Sequence, residues 1–337
     1  MISTPTPLQP LSGNTDDGAA VLAPLFKALG DGLRLRILRL LKGDSLSVSE
    51  LCEVFELRQS ALSHHLKILV QSDLVVRRRE GTAIFYRRVL PAGPDASLLE
   101  TVFHHIDQQA LDADSAAGMD RVQAQREHNS LHFFQGNVDR FREQQELIAS
   151  WKDYTQAALH LLDHCGDLSR LGLLEIGPGD GALLPALAQR AATVVALDSS
   201  EDMLGKARAT SAAFANVTCQ LGDTATLLQT ENRFDVAVAN MVLHHTVDPR
   251  QVLHDTAALL RPGGWLVISD LCRHDQAWAR EHCGDLWLGF EPEQLSAWAL
   301  ECGLESTAEL FIAQRNGFQI QVRLFHRPTL SMIGPKQ

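Results

Sequence analysis

An α/β, doubly wound and mostly parallel sheet is predicted for the C-terminal half of this chain. A smaller, mainly α N-terminal domain that ends in a hairpin is predicted to precede it. Three observations lead there. From residue 173 onward, apolar runs of strand length alternate with amphipathic stretches, and polar residues gather where the runs end. Between residues 22 and 71, leucines recur at helical spacing, and two Val- and Arg-rich runs then flank a glycine. Charge divides at the same border. Residues 21–92 hold 12 Lys and Arg against 7 Asp and Glu, the remainder holds 18 against 34, and the whole chain carries −11. A basic module on an acidic body marks a local polyanion-binding face.

A length of 337 residues is enough for two domains, each burying its own core. Cys52, Cys165, Cys219, Cys272, Cys283 and Cys302 are scattered without a C-x-x-C pair, which fits reduced thiols rather than a disulfide framework. With no long apolar run and no signal-like start, a soluble cytoplasmic protein with no membrane partner is expected. Residues 1–20, rich in Pro, Ser, Thr, Gly and Asp, read as a disordered tail. Domains are then expected over 21–92 and 151–330, with a helical connection over 93–150.

The stretch from Leu173 to Met203 organises the second domain. Leu173, Leu174 and Ile176 form an apolar run that enters Gly177-Pro-Gly179-Asp-Gly181. A helical stretch from Ala182 to Arg190 follows, then a second apolar run from Thr193 to Leu197 that ends in Asp198. This is one strand–loop–helix–strand unit. Its glycines let backbone approach a ligand, and a carboxylate at the tip of the second strand suits the two hydroxyls of a ribose. The spacing is E-x-G-x-G-x-G, and Glu175 would repel a pyrophosphate but welcome an ammonium group.

Glu175 and the Gly177–Gly181 loop resemble the first motif of class I S-adenosylmethionine-dependent methyltransferases. Three later segments agree in order: Gln220-Leu-Gly-Asp223-Thr224; Phe234 through Asn240 to His244-His245; and Leu259 through Pro262-Gly263-Gly264 to Asp270. The resemblance implies S-adenosylmethionine as cofactor, or S-adenosylhomocysteine as effector, with no metal. It places Gly177, Gly179 and Gly181 against the methionine and ribose parts, Glu175 near the amine, Asp198 on both ribose hydroxyls, Met203 on the adenine face, and Asp223 and Thr224 on the adenine edge, with Ser199 a further cofactor-binding candidate. Asn240 lies in the loop under the methionine part. Any general base for methyl transfer is sought among His244, His245 and Asp270. Asn240-Met-Val-Leu243 carries no Asn-Pro-Pro-Tyr-like tetrad, which counts against amide or adenine acceptors.

In the first domain, Leu22–Leu41 reads as a helical region interrupted at Gly30-Asp-Gly32. A short helix over Glu50–Phe55 follows, with Ser49 as its expected N-cap. Gln59–Gln71 forms the next helix. Its Leu62, Leu66 and Leu69 face inward, leaving Gln59, Ser60, Ser63, His64 and Lys67 outside. Val75–Arg87 then reads as two strands around Gly81, with Arg77, Arg79 and Thr82 on the hairpin. Short helix, turn, polar-tipped helix and basic hairpin resemble the ArsR-type winged helix-turn-helix repressors over about seventy residues. That resemblance implies a double-stranded DNA operator contacted by the eight residues just named. A bundle with a basic hairpin also serves protein–protein contacts. Metal sensing is not expected, because Glu50-Leu51-Cys52-Glu53 lacks the second thiolate of the usual pair, and His104, His105 and Asp107 do not reproduce the family's ligand spacing.

Ala96–Leu111 reads as an amphipathic helix, which in the resembled repressors forms the dimer interface. A polar, alanine-rich linker follows, and then helices from Met119 to Trp151 carrying His132, Phe133, Phe134 and Trp151. After Asp270 comes a run dense in His, Asp, Arg and Trp, and His274, Arg280, His282, Asp285 and Trp287 are its pocket candidates. The separations of Cys272, Cys283 and Cys302 match no arsenic-binding pattern. Together these readings predict a homodimeric DNA-binding transcriptional regulator whose methyltransferase-fold domain binds S-adenosylmethionine or S-adenosylhomocysteine as sensor or cofactor. The alternative is an active small-molecule methyltransferase, autoregulated by the attached repressor.

Overall fold

The computed structural model describes residues 18–80, 83–91, 93–137 and 141–329, which divide into units spanning residues 1–118 and 119–337. Most of the predicted tail and the hairpin tip, Gly81 and Thr82, lie outside the described residues, while Gly18–Ala20 already belong to the first helix.

The first unit runs α1 (Gly18–Leu29), α2 (Gly32–Leu40), β1 (Leu46–Ser47), α3 (Val48–Phe55), α4 (Gln59–Gln71), β2 (Val75–Glu80), β3 (Ala83–Arg88) and α5 (Ala96–Gln108). Asp31 breaks the first two helices apart by capping α2, its carboxylate accepting from Arg34 N at 3.0 Å. The cap of α3 is Ser47, not the expected Ser49. Ser47 is the last extended residue before the helix, and its reciprocal bonds with Glu50 (2.7 and 3.2 Å) form a capping box. Glu56, at φ +52, stops α3 by turning into the left-handed region. Leu62, Leu66 and Leu69 of α4 are fully buried, as the spacing predicts. β3 pairs antiparallel with both β2 and β1. Arg88, at the end of β3, grips Asp107 of α5 with two bonds of 2.7 and 2.9 Å, and Lys42 joins the pair at 3.3 Å.

The alanine-rich linker is helical. α6 (Ala113–Asn137) starts six residues before the expected Met119. Asp112 accepts from both Ser115 N and Ser115 Oγ at its head, and alanine has the highest helix propensity.

The second unit continues with α7 (Phe141–Ile148) and α8 (Trp151–Leu162). It then alternates β4 (Gly172–Ile176), α9 (Leu184–Ala188), β5 (Thr193–Asp198), α10 (Glu201–Ser211), β6 (Val217–Leu221), α11 (Thr224–Leu228), β7 (Phe234–Asn240), α12 (Pro249–Leu259) and β8 (Leu260–Leu271). α13 (Trp278–Cys283), α14 (Pro292–Glu301), β9 (Glu305–Ala313) and β10 (Gln319–His326) complete it. The sheet order is β6-β5-β4-β7-β8-β10-β9. β4 to β8 pair in parallel, while β10 lies antiparallel between β8 and β9. Apolar side chains are buried on both faces of the central strands, as a covered parallel sheet requires. The chain moves outward from β4 through β5 to β6 and returns on the other side at β7. The switch point therefore opens beyond the C-terminal ends of β4 and β7. No helix among the described residues is long and apolar enough to cross a membrane.

Candidate functional site

A cavity of about 370 Å³ occupies that switch point. Its floor is the loop after β4, where Gly177, Gly179 and Gly181 have φ of +62, +59 and +79. Two of these glycines have a steric reason as well. A Cβ on Gly177 would sit 2.2 Å from Val242, and one on Gly181 would sit 2.8 Å from the Cα of Ala207. Gly177 N donates to the carbonyl of Leu197 at 2.8 Å, tying the loop to β5.

Seven of the ten predicted cofactor residues line the cavity: Gly177, Gly179, Asp198, Ser199, Met203, Asp223 and Thr224. Gly181 packs against α10 instead. Glu175 and Asn240 are not part of the lining; Glu175 is buried, Asn240 is partly exposed, and each has one buried side-chain oxygen lacking a hydrogen-bond partner. Asp198 accepts from Ser200 N at 2.9 Å, yet burial outweighs its backbone donors and pushes its carboxyl up to about 6. Burial, reinforced by the charges of Asp180 and Asp198, pushes Glu175 up to about 8. The crevice therefore concentrates buried carboxylate, and a ligand bringing positive charge relieves it. At the other end, Asp223 caps α11 by accepting from Thr226 N at 2.7 Å, and Thr224 Oγ1 donates to Asp255 at 2.9 Å.

Sequence reasoning missed part of the wall. Gln123, Glu127 and Ser130 of α6 line the cavity, as do Gln251 and Asp255 of α12. Polar residues on a helix otherwise read as a solvated face, so no local signal marks them. Met241, the residue after β7, has φ +55. It redirects the chain so that His244 and His245 fall on a one-turn 3₁₀ helix under the crevice.

The three candidate catalytic residues come together. His244 Nδ1 is 2.8 Å from Asp270 Oδ1, and Asp270 also accepts from Leu243 N at 2.9 Å and Leu271 N at 2.7 Å. Only His245 of the three borders the cavity. Burial and the neighbouring His244 hold its ring well below the usual imidazole range, so it is neutral at pH 7.

Of the five predicted pocket residues, none lines the cavity, and Asp285 alone joins the histidines, 3.9 Å from His244 Nε2 and 3.8 Å from His245 Nδ1. His274 packs on Phe318, and Trp287 donates to the Thr246 carbonyl while packing on Phe290 and Trp298. Arg280 reaches the backbone carbonyls of Asp285 and Leu286, and His282 is exposed and bonds its own helix.

On the first unit, Gln59, Ser60, Ser63, His64 and Lys67 are all exposed along α4, and Arg77 and Arg79 are exposed on β2. Thr82 lies outside the described residues.

Fold and crevice together define a methyltransferase-type α/β unit joined to a helix-turn-helix unit. The chain belongs to the methyltransferase-domain family, whose model matches residues 141–309, and the bacterial regulatory protein arsR family matches residues 31–76. Curated relatives include a ubiquinone biosynthesis O-methyltransferase of Pseudomonas aeruginosa, 26% identical over 53% of this chain and 84% of that protein. One of the same name from Coxiella burnetii is 30% identical over 39% of this chain and 62% of that protein. Among solved structures, a chain of the complex between the Haloferax volcanii Trm112 methyltransferase activator and a methyltransferase matches with a TM-score of 0.50 and 17% identity. It covers 59% of this chain and 97% of that one, a likeness of fold alone.

Proposed function

We propose that this chain is a homodimeric, DNA-binding transcriptional regulator whose methyltransferase-fold unit binds S-adenosylmethionine or S-adenosylhomocysteine. The observation that carries the cofactor reading is the crevice at the switch point, with Asp198 at its rim and Glu175 buried beneath the glycine loop. Asp198 would take the ribose hydroxyls, Asp223 the adenine edge, and Glu175 the ammonium group, directly or through loop N–H groups. The matched helix-turn-helix and the exposed polar face of α4 support the DNA reading, with α4 in a major groove and the β2 arginines beside the backbone.

Each reading has its own test. At pH 7, Glu175 holds a proton in the folded, unliganded protein, and an arriving ammonium expels it. Proton release on cofactor binding is therefore expected, with affinity rising as pH climbs towards about 8. Calorimetry in buffers of different ionisation enthalpy measures it, and pH-independent binding without proton release would remove Glu175 from the site. The same shift makes the unliganded protein less stable as pH rises from 4.5 to about 8, because the folded state keeps the proton and the unfolded chain loses it. On the DNA side, removing Arg77 and Arg79 together is expected to weaken binding to all sequences alike. It should also reduce the slope of log K against log salt by about 2 per copy of the chain on the duplex. An unchanged slope would place those arginines off the phosphates.

A second reading, methyl transfer to a small hydroxylated acceptor, is favoured by a neutral His245 at the cavity wall. Relatives bearing the name O-methyltransferase add to it. Turnover of S-adenosylmethionine with such an acceptor, while DNA affinity ignored the cofactor, would select this reading over regulation.

A further inference from the structure

Beside the crevice wall lies a buried polar cluster whose side-chain nitrogens and carboxylate face one another. We infer that His244 Nε2, His245 Nδ1 and the Asp285 carboxylate form a site for one first-row divalent transition-metal ion. One ligand atom from each residue lies within 4.8 Å of the other two, and the two closest imidazole–carboxylate separations are 3.9 and 3.8 Å. Ligand atoms on a tetrahedral ion with bonds of about 2.0–2.2 Å sit roughly 3.4 Å apart, so the two imidazole–carboxylate pairs need to close by about half an ångström and the widest pair by about 1.4 Å or less, with the fourth position left to water.

Three features argue for a cation. Asp285 is 2% exposed and neither of its oxygens has a hydrogen-bond partner, and His244 Nε2, fully buried, has none either. A carboxylate buried this way is costly unless something positive meets it. Next, His244 is already set as a ligand. Its Nδ1–H donates to Asp270, itself fixed by two backbone N–H groups, so that once an ion displaces any Nε2 proton the Nε2 lone pair faces Asp285. A carboxylate behind a metal-binding histidine is the usual outer-shell arrangement. Finally, His245 Nε2 lies 3.2 Å from the Gln145 amide, whose Oε1 lacks a partner. A half-turn of that amide lets Oε1 accept from His245 Nε2–H. In that tautomer Nδ1 turns a lone pair towards Asp285, exchanging its 3.3 Å contact with the Gly284 carbonyl for the ion.

Two imidazoles and one carboxylate suit zinc, cobalt, iron or nickel rather than magnesium or calcium. The ion would clamp the turn after β7 to the segment after α13, which backbone bonds from Leu286 N and Trp287 N to the His244 carbonyl already join. None of this depends on DNA or cofactor binding.

The test uses the full-length protein, stripped with chelator and titrated with Co²⁺ by visible absorption, then with Zn²⁺ in competition. One saturable equivalent with the bands of a four- or five-coordinate nitrogen–oxygen site, displaced by Zn²⁺, is expected. In Asp285→Asn its Kd should rise at least tenfold. Exposed histidines such as the His160–His164 pair also take up metal, so an equivalent retained unchanged in Asp285→Asn is adventitious and overturns the proposal. If that variant does not fold, a His160→Ala, His164→Ala double variant decides: the equivalent retained supports the buried site, and the equivalent lost overturns the proposal. Failure to bind one equivalent overturns the proposal and leaves protonation of the cluster, rather than a metal ion, to offset the buried Asp285 charge.

Discussion

Asp198→Ala is expected to weaken binding of S-adenosylhomocysteine by about a hundredfold, or ~3 kcal/mol. The carboxylate stands at the C-terminal tip of β5 and lines the crevice, with Ser200 N fixing one of its oxygens. Charge-assisted bonds to two ribose hydroxyls contribute roughly 1.5–3 kcal/mol each before the backbone donors freed by the substitution are counted. Asp198→Asn keeps the shape and loses the charge, so it should fall between wild type and Asp198→Ala. Neither variant should lower the thermal midpoint of the unliganded protein by much, because burial already disfavours the ionised carboxylate. Calorimetric titration reads the affinities. Wild-type affinity in Asp198→Ala would mean that the ribose lies elsewhere and that the crevice holds a different ligand.

Gly181→Val is expected to lower stability by about 3 kcal/mol or more. Gly181 has φ +79, and its missing Cβ would lie 2.8 Å from the Cα of Ala207 and 3.1 Å from Leu184 Cδ1. Backbone cannot yield as a side-chain tip does, so α10 must move away from the loop and the floor of the crevice opens with it. For a unit of this size, such a loss corresponds to a fall of roughly 6–12 °C in Tm. Denaturant unfolding followed with and without S-adenosylhomocysteine separates lost stability from lost binding. A variant that is as stable as wild type would show that the glycine is there for the ligand rather than for packing.

Much of this arrangement was legible in residue order alone. The glycine loop, Asp198 and Asp223 were readable because parallel strands deliver their last residues to one edge of the sheet, so a motif's place in sequence fixes its place in space. Leu62, Leu66 and Leu69 were readable because helical spacing decides which side is buried. The misses share a cause. Ser47 caps α3 in place of Ser49 because pairing of Leu46 and Ser47 with β3 holds the chain extended up to that residue, a non-local constraint. Gln123, Glu127 and Ser130 reach the cavity by virtue of where α6 is carried, which its polar sequence does not announce.

The density of polar residues after Asp270 did not indicate which of them reach the crevice: His274, Arg280, His282 and Trp287 pack or bond locally outside its lining. Asp285 reaches the histidines only because the following segment turns back along β8, where Gly289 passes so close to the Cys272 carbonyl that a Cβ would sit 2.3 Å from it. A metal was not expected from sequence, since Cys52 and the histidines of α5 lack the ligand spacing. The cluster under the crevice joins residues from two loops far apart in the chain.

The most direct measurement is the affinity of the purified protein for its own upstream DNA at one fixed salt concentration, without ligand, with S-adenosylmethionine and with S-adenosylhomocysteine. Salt is held constant because phosphate contacts make affinity steeply dependent on it. A tenfold or larger change with either ligand, about 1.4 kcal/mol of coupling, is the expected result. Unchanged DNA affinity with cofactor demonstrably bound contradicts regulation through the crevice and leaves a methyl acceptor to be found.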